Sequence, residues 1–555
     1  MKIKVSELIV RYMEHLGIDT IFGMPGAHIL PVYDALYDSN IEAVLAKHEQ
    51  GAAFMAGGHA KTSAKVSACI ATAGPGATNL ITGIANAYAD KQPVLVITGE
   101  APTYLYGKGG LQESSGEGGS FDQVALFSHI TRYCKSIERV DYLAQVLNQA
   151  TKALMDRTPG PVLISIPFNV QNELVEEAVL QQLTYKTAPA SDSPSSESSH
   201  RFLQLLQEAE HPVIVAGYGA LRSGAQQAIS TLSSRFNIPV ASSLKGKGIV
   251  AEQNDLSLGS LGVTSNGVAY QYIKEEADLL IVLGASFNER TSYLWDDSLL
   301  GHLKIIQVDL NAQQLDKVFS ADLSICGDIR TTLEHLLKLH SGENQQQLQQ
   351  QTPESSITQL KALSDNGYAI FKSGFSLVEA FYQKLSTEFD EAIRVFDDNI
   401  IFAQNFYEVP ANHYYHPNAG ISSLGHAIPA AIGAQFTNLL PTFAVLGDGG
   451  FQMCCMEIMT AVNYNKPLNV VIFNNGTMGL IRKNQFQLYE KRFINCDFTN
   501  PDYQQLALSF GINYQRITDT DDLDELFKTQ DLRHAINLID IAIDKDAFPN
   551  YSSKR

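Results

Sequence analysis

Short apolar runs, each bounded by Gly or Pro and separated by stretches with helical spacing, recur along the whole chain. No other feature constrains the fold as tightly. A strand that is apolar on both faces needs cover on both faces, and helices returning the chain to the same sheet provide it in a doubly wound parallel sheet. In the first third the runs are residues 19–22, 66–71, 94–98 and 162–166. Ahead of them, Val5, Leu8, Ile9, Tyr12, Met13 and Leu16 recur at helical spacing and stop at Gly17, which reads as a helix closed by a left-handed glycine. Runs at 211–219, 278–285, 304–310 and 322–327 repeat the theme, and runs at 392–396, 442–446, 470–473 and 536–543 repeat it again.

Two polar tracts separate these sets. Residues 186–199 are rich in Ser, Pro and Ala, and residues 342–356 carry Gln clusters. Neither buries enough apolar surface to order itself, so both read as linkers, the second alternatively as a frayed helix. A chain of 555 residues is long enough for about three or four cores. The expectation is therefore an α/β protein of three doubly wound parallel-sheet domains, spanning 1–185, 200–340 and 360–555.

A formal net charge of -19 opposes a nucleic-acid partner or an anionic membrane, because phosphate would be repelled. No apolar run approaches the roughly 18 residues that a membrane span needs. Glu7, Arg11 and Glu14 interrupt any apolar signal-peptide core, so a cytoplasmic protein is expected. The six cysteines form no C-x-x-C pair and read as buried free thiols rather than disulfides or zinc ligands.

The chemistry concentrates at strand ends. The run 442–446 closes in Gly447-Asp448-Gly449-Gly450, and a helix-like stretch begins near Phe451. Free N–H groups at a helix N-terminus bind anions, and glycines let the main chain approach closely. Asp448 supplies a hard oxygen of the kind magnesium takes alongside phosphate. Further on, the run 470–473 closes in Asn474-Asn475-Gly476, which puts Asn475 at a second strand end and makes it a candidate to complete the metal shell. In Leu45-Ala46-Lys47-His48-Glu49-Gln50-Gly51-Ala52-Ala53, Glu49 by itself is an acid favoured by the start of a helix.

These residues resemble the signature of thiamine-diphosphate enzymes, a Gly-Asp-Gly followed after a helix and strand by Asn-Asn. The likeness extends to acetolactate synthases. Phe22-Gly23-Met24-Pro25-Gly26, His48-Glu49-Gln50-Gly51-Ala52-Ala53, Thr72-Ala73-Gly74-Pro75-Gly76-Ala77-Thr78-Asn79, Leu111-Gln112-Glu113 and Asn418-Ala419-Gly420-Ile421-Ser422-Ser423-Leu424-Gly425 fall in that family's order. The resemblance implies magnesium held by Asp448, the Asn475 side chain and the Thr477 carbonyl. It implies cofactor contacts from Pro25, Thr72, Asn79, Ser422, Leu424 (as the wedge between the rings), Gly447, Gly449, Gly450, Gly476 and Met478. It makes Glu49 the carboxyl that activates the aminopyrimidine, in a pocket that raises its pKa. It also implies a dimer or tetramer, with the two halves of each site coming from different subunits. The middle third, with Gly284-Ala285-Ser286-Phe287-Asn288-Glu289-Arg290, is similar to that family's flavin domain. There Arg290 and Asp309 would hold polar parts of FAD, while relatives hold ADP or nothing.

Four departures bear on the substrate. Asn484 stands where the family carries a Trp that favours larger acceptors, Arg132 stands where it carries Lys, and an insertion lies within 114–121. Gly26-Ala27-His28 replaces Gly-Gly-Ala and resembles benzaldehyde lyase, which makes His28 a candidate acid–base; His426 is a lesser one. The resemblance implies decarboxylation of a small 2-oxo acid, pyruvate foremost, and transfer of the remaining unit to a second carbonyl compound oriented by Gln112. The alternative is a lyase or decarboxylase with another acceptor, similar to benzaldehyde lyase or 2-hydroxyacyl-CoA lyase.

Overall fold

The computed structural model describes residues 2–183, 193–342, 354–367, 370–371 and 374–551. The expected linker segments 186–192 and 343–353 lie outside the described residues. Three six-stranded sheets form, parallel throughout. The first runs Glu42–Leu45, Thr20–Gly23, Ser67–Ala71, Val94–Glu100, Val162–Pro167 and Tyr133–Ser136 across its width. The third runs Tyr414–Pro417, Arg394–Asp397, Thr442–Gly447, Leu468–Asn474, Ile536–Ala542 and Asn513–Ile517. Counted within each sheet these two share the order 2-1-3-4-6-5. The middle sheet runs Ser257–Leu261, Val240–Ser243, Pro212–Ala216, Leu279–Leu283, Lys304–Asp309 and Leu323–Cys326, the order 3-2-1-4-5-6. Ligands of such sheets sit beyond the carboxyl ends of the strands, at the point where the winding reverses. In the outer sheets that point lies between the first and third strands, and in the middle sheet between the first and fourth.

The central strands are those that the apolar runs mark. The strands missing from the sequence reading are mostly at the edges: Tyr133–Ser136, Ser257–Leu261, Tyr414–Pro417 and Asn513–Ile517, with Val240–Ser243 inside the middle sheet. The helix Val5–His15 buries Val5, Leu8, Ile9, Tyr12 and Met13 as its spacing requires. The helix Ser196–Glu208 begins inside the first polar tract, capped by Ser195. The expected seam at residue 360 falls inside the helix Glu354–Gly367, whose Ile357 packs in the middle-sheet core beside Leu360. All six cysteines are free, but only Cys69 and Cys496 are buried and Cys326 is exposed, against the expectation of uniform burial. Among the described residues no helix is long and apolar enough to cross a membrane.

The first and third units share one core. Helix Glu49–Ser63 crosses helix Ala427–Ala434 so closely that a Cβ on Gly58 would lie 2.1 Å from the Ala430 carbonyl oxygen, and one on Gly433 would lie 2.0 Å from that of Met55. Only glycine admits such backbone contact. Around it Ala52, Ala53 and Ala56 pack with Ala430, Ala431 and Ala434. The helix that opens with Glu49 is therefore fixed against the unit that carries Asp448.

Candidate active site at two strand-end turns

Strand Thr442–Gly447 ends at its switch point and helix Asp448–Cys454 starts at once. Asp448 is 1% exposed. Its Oδ1 accepts the Gly449 N–H at 2.9 Å, and its Oδ2 accepts those of Asn475 at 3.2 Å and Gly476 at 2.6 Å. Burial pushes this carboxyl up, opposed by the Asn500 amide and these N–H groups. The neighbouring strand Leu468–Asn474 ends in the same place, and Gly476 turns the chain with φ +65°, a conformation that glycine adopts without strain. The Asn475 side-chain oxygen accepts the Thr477 N–H at 3.2 Å. Met478 donates its N–H to the Cys496 carbonyl at 2.7 Å, and its sulfur lies 2.5 Å from where a Cβ on Gly449 would fall. Asp448, Asn475, Thr477 and Met478 thus converge on one turn.

On the other side of the switch point, Asp398 follows strand Arg394–Asp397. Its buried carboxylate accepts the N–H groups of Gly425 and His426 at 3.0 Å each and the Asn418 side-chain amide at 3.0 Å, which fixes the segment carrying Ser422 and Leu424. The Leu424 Cβ lies 3.9 Å from where one on Gly450 would be. His426 is enclosed between Asp398 and the Phe54 ring.

The first sheet supplies a second cluster. Glu49 opens its helix half-buried, and Asn79 donates to its Oε2 at 2.9 Å. At the switch point of this sheet, beyond Thr20–Gly23 and Ser67–Ala71, the His28 N–H donates to Thr72 Oγ1 at 3.2 Å. Thr72 Oγ1 reaches Gln112 Oε1 at 3.4 Å, and so does His28 Nδ1 at 3.3 Å. Hydrogen-bond accounting puts the imidazole proton on Nδ1, because the amide oxygen can only accept, and leaves the lone pair on Nε2. Pro25 is exposed at the rim of this cluster. Gln112 itself has φ +54°.

The two clusters lie on the two sheets that share a winding order, and comparison with known proteins gives both the same name. Residues 3–126 match the thiamine pyrophosphate enzyme N-terminal TPP binding domain, 199–336 the central domain and 399–541 the C-terminal TPP binding domain. A probable acetolactate synthase large subunit of Methanocaldococcus jannaschii is 32% identical, covering 98% of this chain and 92% of the relative. That of Methanococcus aeolicus is 30% identical over 97% and 92%. The acetolactate synthase isozyme 2 large subunit of Escherichia coli is 29% identical over 97% and 95%. The chain belongs to the thiamine pyrophosphate enzymes. Within them it is of the acetolactate-synthase type.

As a thiamine pyrophosphate enzyme it also uses residues that its motifs do not mark. Asp398 holds the 418–426 segment from a separate strand, and Asn500 braces Asp448 from outside any motif. Glu457, 3% exposed, accepts the N–H groups of Lys47 and His48 at 3.1 and 2.9 Å, so it ties the third unit to the residues that precede Glu49. Arg132 lies away from both clusters, in a surface cleft with Lys152 and Asp156. Asn484 is half-buried on helix Gly479–Leu488. The middle sheet's switch point opens into a cavity lined by Lys245, Ser286, Asn288, Arg290, Ile400 and Ser422.

Proposed function

We propose that this enzyme decarboxylates pyruvate or another small 2-oxo acid and joins the remaining unit to a second carbonyl compound, with acetolactate as the product from pyruvate. The observation that carries the reading is the convergence of Asp448, Asn475 and Thr477 on one buried turn, in a chain whose relatives are acetolactate synthase subunits along nearly their full length. All three would offer oxygen, which suits magnesium rather than a softer metal. Asn475 presents its amide oxygen at the turn beside the Asp448 carboxylate, and Gly476 turns the main chain there, so the residues present fit a magnesium diphosphate. Bound thiamine diphosphate would supply the carbon nucleophile and electron sink that loss of CO2 requires.

The remaining roles belong to the chain. Glu49 would hold a proton against the cofactor's pyrimidine ring, with Asn79 fixing Oε2 so that Oε1 is left to the ring. Leu424 would separate the rings. His28 would give or take a proton at Nε2, and Gln112 would hold it in the tautomer that allows this. Incubating the protein with pyruvate, magnesium and thiamine diphosphate should yield acetolactate. Release of CO2 without any C–C product would refute the carboligase reading.

Two further parts of the reading concern FAD and assembly. Arg290 Nη1 is buried without a partner in the middle cavity, which suits an anionic dinucleotide; flavin absorbance in the purified protein tests FAD against ADP. Exposed Leu30 and Leu111 flank the His28 cluster, and exposed Met453 and Met456 follow Asp448. Such apolar patches suit burial in a dimer or tetramer, which light scattering measures.

A further inference from the structure

The insertion within 114–121 has no part in the reading so far, and its root is unusual. It leaves Gln112 and returns at Gln123 as a compact loop, with Ser115 and Asp122 bridged in antiparallel fashion and the Gly116 N–H on the Phe121 carbonyl. Ser114 is 1% exposed and Glu100, the last residue of strand Val94–Glu100, is 2% exposed. Glu100 Oε1 accepts the N–H groups of Ala101 at 2.7 Å and Ser114 at 3.0 Å, while Oε2 lies 2.8 Å from Ser114 Oγ.

A count of protons decides the state of this acid. Gln123 gives both amide hydrogens away, to the Gly99 carbonyl at 2.9 Å and to Ser165 Oγ at 2.7 Å. Its Oε1 can then only accept, and it lies 2.9 Å from Ser114 Oγ. Ser114 Oγ therefore stands between two close oxygens, Glu100 Oε2 and Gln123 Oε1, with the Gln112 carbonyl further off at 3.4 Å, and has one proton of its own to donate. An ionised Glu100 would leave one of these buried acceptors unmatched. A neutral one matches both close acceptors: Oε1 is the carbonyl receiving two N–H groups, Oε2–H donates to Ser114, and Ser114 donates to Gln123.

We propose that Glu100 is a positioning residue that keeps its proton and donates it into a one-way relay through Ser114 to Gln123, locking the root of the 113–123 segment and holding Gln112 against His28. Burial favours the neutral acid and outweighs the Ala101 and Ser114 N–H groups and the Ser114 hydroxyl, which favour ionisation. His28 favours ionisation. Tyr106, whose hydroxyl interacts with Glu100 and Glu113, stays neutral because burial pushes it up. Glu113 is turned to the loop itself, accepting N–H groups from Gly107, Gly109 and Gly110 and the Ser115 hydroxyl. The effect on turnover rests on the roles proposed above for His28 and Gln112. The protonation state does not.

The test compares Glu100→Gln, which reproduces the neutral acid's donor and acceptor pattern, with Glu100→Ala and Ser114→Ala, which break the relay. In the cofactor-loaded enzyme near neutral pH, the infrared difference between the natural protein and Glu100→Gln should show loss of a protonated-carboxyl carbonyl band. Glu100→Gln should keep kcat/KM within about threefold, whereas Glu100→Ala and Ser114→Ala should lose on the order of tenfold, as a displaced positioning group does. Absence of the infrared band would overturn the proposal whatever the enzyme's substrate proves to be. So would a folded Glu100→Gln protein as impaired as Ser114→Ala. A protein that shows the band but makes no acetolactate would instead refute the carboligase reading alone.

Discussion

The Asn500 side-chain amide donates to Asp448 Oδ2 at 2.9 Å and, through the same nitrogen, to Asn474 Oδ1 at 2.9 Å. It clasps the two strand ends that would share the metal, and Gln452 in turn donates to its Oδ1 at 2.7 Å. Groups that orient a ligand from behind matter nearly as much as the ligand itself, and their loss costs about 10- to 100-fold in affinity. Asn500→Ala should therefore weaken magnesium-dependent cofactor binding by about that factor while leaving the fold intact. Calorimetric titration with thiamine diphosphate and magnesium measures it, and an unchanged affinity would remove Asn500 from the site.

Glu49→Gln should bind cofactor and turn over poorly. The Gln amide keeps the shape and an acceptor for Asn79 but has no proton to shuttle, so kcat should fall by about 10²- to 10⁴-fold. Asn79→Ala frees one oxygen of an intact carboxyl and should cost less. Equal turnover in Glu49→Gln and the natural enzyme would show that the activating acid lies elsewhere.

The contrast between Asp448 and Asn500 also marks what the sequence makes legible. Asp448 and Asn475 sit where a strand ends, and the apolar run before each announces the turn. The central strands are readable for the same reason: Leu279–Leu283 is buried at every position. Asn513–Ile517, an edge strand of Asn, Tyr, Gln, Arg and Ile, has only Ile517 buried, because solvent covers what a neighbour would otherwise cover. Its strand character comes from pairing with Ile536–Ala542, a long-range fact that no local pattern contains. Asp398, Glu457 and Asn500 escape for a related cause. Each acts on backbone or side-chain atoms far away in the chain, and a lone polar residue has no period.

Glu457 should prove structural and functional at once. Its carboxylate takes the Lys47 and His48 N–H groups and the Thr460 hydroxyl, and burial pushes its pKa up against those bonds. Removing it strands two backbone donors, each costing about 1–3 kcal/mol if left unpaired. Glu457→Ala should lower the melting temperature by several degrees and reduce turnover more than it reduces cofactor affinity, since Glu49 follows His48 directly. Glu457→Gln, which keeps one acceptor oxygen, should fall between the two. A Glu457→Ala protein with normal melting and normal turnover would exclude this link.

Acid should destabilise the fold through His59. The imidazole is 2% exposed beside the Phe22 ring, and burial lowers its pKa to about 4, outweighing the help of Asp19. In the unfolded chain it titrates near its ordinary value of 6.5. Between those values the unfolded state binds the proton and the folded state does not, so stability falls as pH drops from about 6.5 to about 4. At about 1.4 kcal/mol per unit, the contribution is about 3 kcal/mol. Urea unfolding at about pH 7 and about pH 4.5 should show a smaller acid loss in His59→Gln than in the natural protein. Parallel losses in both proteins would contradict a neutral His59.

His28 should matter to the second half of the reaction more than to the first. Loss of CO2 would rest on the cofactor and Glu49, whereas release of the joined product would call for a base that takes a proton from its hydroxyl. His28 Nε2 would be that base, since Thr72 engages the backbone N–H and Gln112 holds Nδ1, which leaves the Nε2 lone pair to take the proton. His28→Ala should thus release a first equivalent of CO2 per site at a rate within a few-fold of the natural enzyme, while C–C product falls by about 10²-fold or more. Measuring CO2 and acetolactate in the same reaction gives the ratio directly. If the first-turnover CO2 falls as well, His28 acts before the acceptor arrives, and the base for product release must be sought elsewhere in the cluster.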